Sequence, residues 1–538
     1  MKKWFFLVFC TFCEVFQVNC QDKISEKKPR LVVGIIVDQM RYDVIQRYWG
    51  RYENNGFKRL TGEGIVCRNV HYSTMVGRPC VSYATIVTGA NPAVHGIVSD
   101  DWYLRVSDKL VAATRDTTVT VLGGSYGAGV HSPRNLLVTT LGDELRFATR
   151  NASKVIAVSL DPVTAVLAGG HVPSASFWLD PETGNMISNT YYMRALPGWV
   201  NDFNRKRLAD AYLDRTWEPL LEPASYTDSS SLMTDDYLFR GQKKFPYDLK
   251  KARKNYSLLV NVPFGINFLK DFAISAIVNE QLGKDDVPDL LLIGLSSPGN
   301  IARTFGLNSM EMEDTYLRLD KELKHFLDFV DGYLGKGNVL VFLVSGQGGT
   351  YNPLLMQAMG IPAGIFNANQ AVALTRSYLK AKYGYDFIRH YNNLQFYLHE
   401  NKIRESGHSF EAVLADMAGF LDDFTGVRSV IAWNDLLREG YAEGINRMLQ
   451  NAFYPKRSGD LMLCLEPGWI ERRGDAYNYI SAGSSETHVP LLWYGWKTKR
   501  KVIYRFIDVT DIAATLSVIL DVSFPSGCQG TPIIEVLE

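Results

Sequence analysis

Four apolar runs end where a reactive side chain can be presented: Leu31–Val37 before Asp38, Lys154–Leu160 before Asp161, Asp289–Ser296, and Asn338–Ser345. Runs of this length read as parallel strands buried on both faces. In open α/β sheets the chemistry gathers where such strands end at their carboxyl edge. Asp38 puts a carboxylate there, a group that ligates cations or moves protons. The cysteines offer less. Of seven, only Cys67, Cys80, Cys464 and Cys528 lie beyond residue 20, without CxxC spacing, so they make neither a zinc module nor a disulfide scaffold. One bridge can form, with no pairing assigned. The glycine-rich stretch Gly123–Gly129 lacks the strand and helix of a phosphate-binding fingerprint and reads as a plain loop.

The elements that position these groups follow from the spacing. Leu319, Leu323, Phe326, Leu327, Val330 and Leu334 share one face of a helix expected over Met312–Leu334, stopped by Gly335 and Gly337. A strand, that helix and another strand make a βαβ unit, hence a doubly wound, mostly parallel α/β sheet. Two lid-like insertions are expected, at about 165–280 and 350–405, the second with Tyr391-Asn392-Asn393 at its centre. The 538 residues, 46% hydrophobic and 21% charged, supply a large core and exclude a disordered or fibrous chain. With 57 basic against 57 acidic residues there is no basic excess for nucleic acid. Lys499-Arg500-Lys501 reads as a solvated face. At the start, Lys2 and Lys3, the apolar run Trp4–Val18 and Asn19-Cys20 read as a signal peptide over residues 1–20. The mature domain, 21–538, is then expected to be exported, periplasmic or secreted, with no transmembrane segment; acylation of Cys20 is the weaker alternative.

The edge residues carry a family resemblance. Val37-Asp38-Gln39-Met40-Arg41, Thr88-Gly89, Pro92-x-x-His95-Gly96-Ile97 and Asp101-Trp102-Tyr103 resemble the alkaline phosphatase superfamily. The branch is that of the secreted bacterial phosphate-irrepressible alkaline phosphatases, related to nucleotide pyrophosphatase/phosphodiesterases. Similar blocks continue at Ser296-Ser297-Pro298, Glu313–Asp320, Ile361–Phe366, Leu465–Gly468, His488-Val489-Pro490 and Gly527–Gly530. The resemblance implies two zinc ions, a Thr or Ser nucleophile at a helix start, and polar groups for the phosphoryl oxygens, an in-line displacement between two metals.

Carried over position by position, that machinery is incomplete. The nucleophile position is Pro79, which has no hydroxyl; its neighbour Cys80 is a weak candidate, and a shifted register would bring in Ser82. The Asp and His ligand positions after Ser296-Ser297-Pro298 are Gly299 and Arg303, and the Asp-His pair after the next strand is Gly346-Gln347. Asp38 and His488 remain, as remnants belonging to different ions, with His488 read as structural. The phosphate-gripping positions are Asp100, Asp161 and Val163. The expectation is a pseudoenzyme without zinc, serving to bind an unidentified protein or small molecule. The alternative is an active phosphomonoesterase or phosphodiesterase-type hydrolase with a non-standard site. Two structural expectations follow: Arg303, or failing that Arg78, pairs with Asp38, Asp100 or Asp161, so that Arg303→Ala costs roughly 3–5 kcal/mol. The pocket stays open, lined by Phe177, Trp178, Trp199 and Tyr391.

Overall fold

The computed structural model describes residues 28–75, 77–228, 239, 241–252, 254–474, 476–480 and 483–538. The signal-peptide reading of residues 1–20, and the Cys20 alternative, lie outside them. In chain order the principal strands are β1 (Leu31–Val37), β2 (Ile65–His71), β3 (Val155–Ser159), β4 (Asp289–Leu295), β5 (Val339–Ser345), β6 (His488–Gly495), β7 (Lys501–Ile503) and β8 (Ile507–Asp508). They form one sheet in the order β7-β2-β6-β5-β1-β4-β3, continued by Ala175–Leu179, Met186–Asn189 and Val121–Leu122, with β8 also on β2. β1, β3, β4 and β5 run parallel, and β6 lies antiparallel between β2 and β5. All residues of β1, β4 and β5 are buried, as strands covered on both faces must be. The fold is therefore the doubly wound α/β architecture expected, with antiparallel β6 added.

Register sets the site. Val37 lies opposite Leu295 on one side and Ser345 on the other, so the chain segments leaving β4, β1 and β5 emerge side by side. The helices that matter are α1 (Pro79–Thr88), α2 (Pro162–Gly169), α3 (Ser297–Phe305) and α4 (Met310–Leu334). α4 starts at Met310 because the Ser309 hydroxyl caps the Met312 amide at 3.1 Å. Its first turns are buried, acids included: Asp314 accepts from Trp217 Nε1, the Leu220 amide and the Tyr226 hydroxyl, each at 2.7 Å. The Tyr247 hydroxyl donates to Glu311 at 2.7 Å. These carboxylates sit at the positive end of the helix dipole and tie Trp217, Leu220, Tyr226 and Tyr247 to α4.

Of the stretch 165–280, Ala175–Leu179 and Met186–Asn189 are strands of the main sheet, and the helix Phe264–Asn279 packs in its core. Between about 364 and 480 a second unit has its own four-stranded sheet, made of Ile388–Asn392, Gln395–Leu398, Leu461–Leu465 and Val427–Ala432. The helices Ala368–Tyr383 and Phe410–Asp422 cover it around a separate core. Its hairpin turns at Asn393 and Leu394, both in the left-handed region (φ 50° and 59°), the geometry of a tight two-residue turn. No helix among the described residues is long and apolar enough to cross a membrane.

Candidate functional site

Asp38 leaves β1 in a turn that places Gln39 in the left-handed region, φ 55°. The Asp38 amide donates to Leu295 O at 3.1 Å, the Gly346 amide to Val37 O at 3.0 Å, and the Met40 amide to Ser345 Oγ at 3.0 Å. The turn is thus stitched to both neighbouring strands. The carboxyl is 2% exposed, and its Oδ1 has no hydrogen-bond partner among the described residues. Burial pushes it up to about 7; Arg303 opposes the rise, the Asp161 carboxylate adds to it, and a Tyr83 hydrogen bond lowers it.

The two ligand-position glycines bracket this carboxyl. A Cβ on Gly299 would stand 2.8 Å from Asp38 Cβ, and one on Gly346 would stand 2.9 Å from Asp38 Oδ1. Both glycines thus face Asp38, and neither carries a donor side chain. Gln347 is buried, with its Oε1 unpartnered among the described residues.

Pro79 occupies the first turn of α1, where its missing N–H costs nothing because that donor has no helical partner. Cys80 follows, fully buried. Burial first, and Asp100 next to it, hold its thiol well above the ordinary range. A thiol so held carries little thiolate and is a poor nucleophile. In native protein Cys80 should resist alkylation until unfolding, while half-buried Cys528 reacts first; rapid labelling of Cys80, read by peptide mass spectrometry, would contradict this.

Two arginines border the site. Arg78 Nη1 lies 3.3 Å from Asp100 Oδ2, and its Nη2 donates to Asn393 Oδ1 at 3.1 Å. It is one of the pairs expected, formed as a direct contact. Both side chains are partly solvated, at 29% and 41%, so its energy is about 1 kcal/mol or less. Arg303, in the last turn of α3, donates to Asn300 Oδ1 at 3.0 Å. It acts on Asp38 and Asp161 through its charge. Asp161 caps α2 by accepting the Thr164 amide at 2.9 Å, and burial raises its carboxyl.

His488 opens β6 in a ring stack. Its centroid lies 4.0 Å from Tyr42 and 4.4 Å from His71, and its Nε2 is 3.0 Å from the Arg68 carbonyl. Burial draws its pKa down. Both the stacking and the Nε2 contact commit this imidazole to structure. Among the described residues, no group of three or more His, Cys, Asp or Glu is placed to hold a metal ion. At the other positions around Asp38 that the resemblance assigns to zinc, the chain has Gly299, Arg303, Gly346 and Gln347, none of them a carboxylate or imidazole.

The open aromatic pocket does not exist as expected. Phe177 and Trp178 are 1% and 0% exposed and Tyr391 5%. Phe177 packs into the main core and Trp178 into a small cluster with Ala165, Val166 and Ile187. Their strand lies within the sheet and is covered on both faces, so neither alternating side reaches solvent. Trp199 is half-buried against Phe177 and Phe272, with Nε1 on Glu280 at 2.7 Å. Tyr391 donates to Glu471. Two voids beside the site are about 30 Å³ against Arg78 and Asn393 and about 20 Å³ against Arg303 and Tyr479, room for a water or two.

What closes the site was hidden from the sequence. The Asn393 amide reaches Ser99 Oγ at 2.7 Å, and that of Asn392 reaches Asp101 Oδ1 at 2.7 Å. Gly77 lets the 479–480 backbone approach: a Cβ there would fall 2.5 Å from Ile480 Cα. Asn393 was the available signal, since Asn tolerates the left-handed turn.

The whole chain can be compared with known proteins. The family model for type I phosphodiesterase/nucleotide pyrophosphatase matches residues 32–489. Alkaline phosphatase PafA of Elizabethkingia meningoseptica is 37% identical over 97% of this chain and 96% of its own. A protein of Myroides odoratus named calcium-transporting ATPase is 36% identical over 97% of both. The crystal structure of wild-type PafA superposes with a TM-score of 0.90 at 36% identity, covering 95% of this chain and 99% of that one. The chain belongs to the type I phosphodiesterase/nucleotide pyrophosphatase family, within the alkaline phosphatase superfamily and on its PafA-like branch.

Proposed function

We propose that this chain keeps a phosphatase-type fold without phosphate-ester chemistry, and that it works as an exported pseudoenzyme through binding or assembly. The observation that carries the reading is the pair of glycines facing Asp38, where an added Cβ would fall 2.8 Å from Asp38 Cβ at Gly299 and 2.9 Å from Asp38 Oδ1 at Gly346. Ligand side chains belong there, and their space is taken up by Asp38 itself. Pro79 at the start of α1 removes the nucleophilic hydroxyl, and Asp100 and Asp161 put negative charge where a phosphate dianion would need cations. On this reading zinc is not a cofactor, and Arg78 and Arg303 supply the positive charge beside the carboxylates.

The relatives' names favour a second reading, an active phosphomonoesterase or phosphodiesterase with a non-standard site. It would have to work through buried Cys80, or through metal held elsewhere. Hydrolysis of p-nitrophenyl phosphate and bis-p-nitrophenyl phosphate, with and without added zinc, tests the proposal. The expected rates equal those of zinc in buffer. Saturable turnover that follows the protein through purification would sink the pseudoenzyme reading.

A further inference from the structure

One stretch of surface concentrates a charge that the whole chain balances. Residues 240–254 hold seven basic side chains against one acid, Asp248, in a protein with 57 of each sign. Counted back to Asp235 and Asp236, the balance is still seven to three. The local backbone turns these cations outward. Tyr247–Asp248 pairs with Thr216–Trp217, and the Tyr247 ring packs on Trp217, Phe239 and Phe305. A 3₁₀ turn, Leu249–Ala252, follows. With three residues per turn it buries Leu249 and Ala252 and sends Lys250 and Lys251 to solvent. Gln242 closes the preceding loop: its amide donates to Asp248 O at 3.2 Å, and its Oε1 accepts the Asp248 amide at 2.8 Å. That closure holds Lys243 and Lys244 beside the turn. The Leu249 amide donates to Arg215 O at 3.1 Å, which adds Arg215, its guanidinium 4.7 Å from the Tyr212 ring centre.

Lys243, Lys244, Lys250, Lys251, Lys254 and Arg215 are all exposed, and among the described residues none of the six takes part in an ion pair. Nearby cations behave differently: Arg207, just before the helix Leu208–Leu213 that packs on this turn, is paired with Asp210. The Asp248 carboxylate accepts the Lys250 amide at 3.2 Å and so serves the backbone. Asp214 and Glu218 flank the neighbouring strand and leave the cations in excess. We propose that this patch docks the protein on an anionic phospholipid surface. A lysine ammonium is a compact charge on a flexible stem, which suits a diffuse array of phosphates. Clusters of about four to eight such cations are enough to hold a protein on anionic lipid. With the total charge balanced, the attraction is local, felt within a Debye length of about 8–10 Å. A nucleic-acid strand fits less well. The rings of this segment, Phe245 and Tyr247, pack on Trp217 and offer bases no stacking platform. The patch acts in the same way whether or not the Asp38 site is active.

Sedimentation of the purified chain with lipid vesicles tests this. The chain should partition onto vesicles of equal parts phosphatidylcholine and phosphatidylglycerol, and not onto phosphatidylcholine alone. Raising the salt from about 50 to about 500 mM should release it. The neutral vesicles also control for attachment through the apolar N-terminal run. Lys243→Gln, Lys244→Gln, Lys250→Gln and Lys251→Gln together should weaken partition roughly tenfold or more. The unfolding midpoint should not move, because these side chains are exposed. A second variant removes the same charge elsewhere, at the exposed lysines Lys109, Lys380, Lys456 and Lys499, each replaced by Gln. It should bind as the parent does. Equal loss in both variants would overturn the patch and leave only a response to net charge. No partition onto the anionic vesicles, or partition that persists at high salt, would overturn the proposal. So would a chain that ignores the vesicles but binds a single-stranded oligonucleotide through the same lysines.

Discussion

Replacing Asp38 by Asn should stabilise the protein at pH 8 and leave it almost unchanged at pH 4. The sign follows from linkage. The Asp38 carboxyl has an ordinary pKa of 3.8 and sits at about 7 in the fold. Between those values the unfolded chain is ionised while the folded one holds its proton. Stability is therefore lost as pH rises from about 4 and is lost in full above about 7. A shift of this size corresponds to at most about 4 kcal/mol at 1.36 kcal/mol per unit. Asparagine keeps the shape and removes the charge, so a gain of about 1–4 kcal/mol is expected in urea unfolding at pH 8. Unchanged or reduced stability there would show that Asp38 is ionised and well compensated.

The same titration revises the expected cost of Arg303→Ala. Without Arg303, which opposes the rise, Asp38 simply takes up a proton near neutrality. The loss at pH 7 is then about 1–2 kcal/mol, below the 3–5 kcal/mol for orphaning a fixed buried charge. The loss should be smaller at pH 5, where Asp38 is neutral with or without Arg303.

Putting a ligand back should be strongly destabilising. Gly299→Asp brings its Cβ to 2.8 Å from Asp38 Cβ, closer than unbonded carbons tolerate, and adds a second carboxylate beside one already hard to ionise. Overpacking costs about 1–3 kcal/mol, and a like charge in a buried setting adds to it. A total loss of about 3 kcal/mol or more is expected at pH 8 by denaturant unfolding. The loss should shrink at pH 5, where Asp38 is protonated. If Gly299→Asp folds as stably as the parent at pH 8, the space beside Asp38 is larger than described. Recovery of stability by stoichiometric zinc would show a metal site within one substitution of returning.

The strands that carry the site were readable because parallel strands covered on both faces leave unbroken apolar runs. Leu31–Val37 was placed to the residue, the runs Asp289–Ser296 and Asn338–Ser345 lie within one residue of the strands Asp289–Leu295 and Val339–Ser345, and α4 was placed within two residues of its start. β6 was less legible: His488-Val489-Pro490 was recognised as a block, but only pairing shows it inserted antiparallel between β2 and β5. The aromatic stretch misled for a physical reason. Phe177-Trp178 reads equally as a lid or as a strand inside the sheet, and burial on both faces is a tertiary fact. Arg78 and Asp100 meet because the start of α1 and the loop before Asp101-Trp102-Tyr103 lie side by side. The hairpin tip at Asn393 reaches them from residues about 300 positions on, beyond any local pattern.

On the proposed reading, the pocket around Asp38 holds arginine charge in place of metal. Zinc content by elemental analysis tests it most directly, on folded protein loaded with excess zinc and then dialysed. No stoichiometric zinc should remain, because Gly299, Gly346 and Gln347 offer no carboxylate or imidazole and His488 is committed to its stack. Two zinc ions retained per chain would contradict the account.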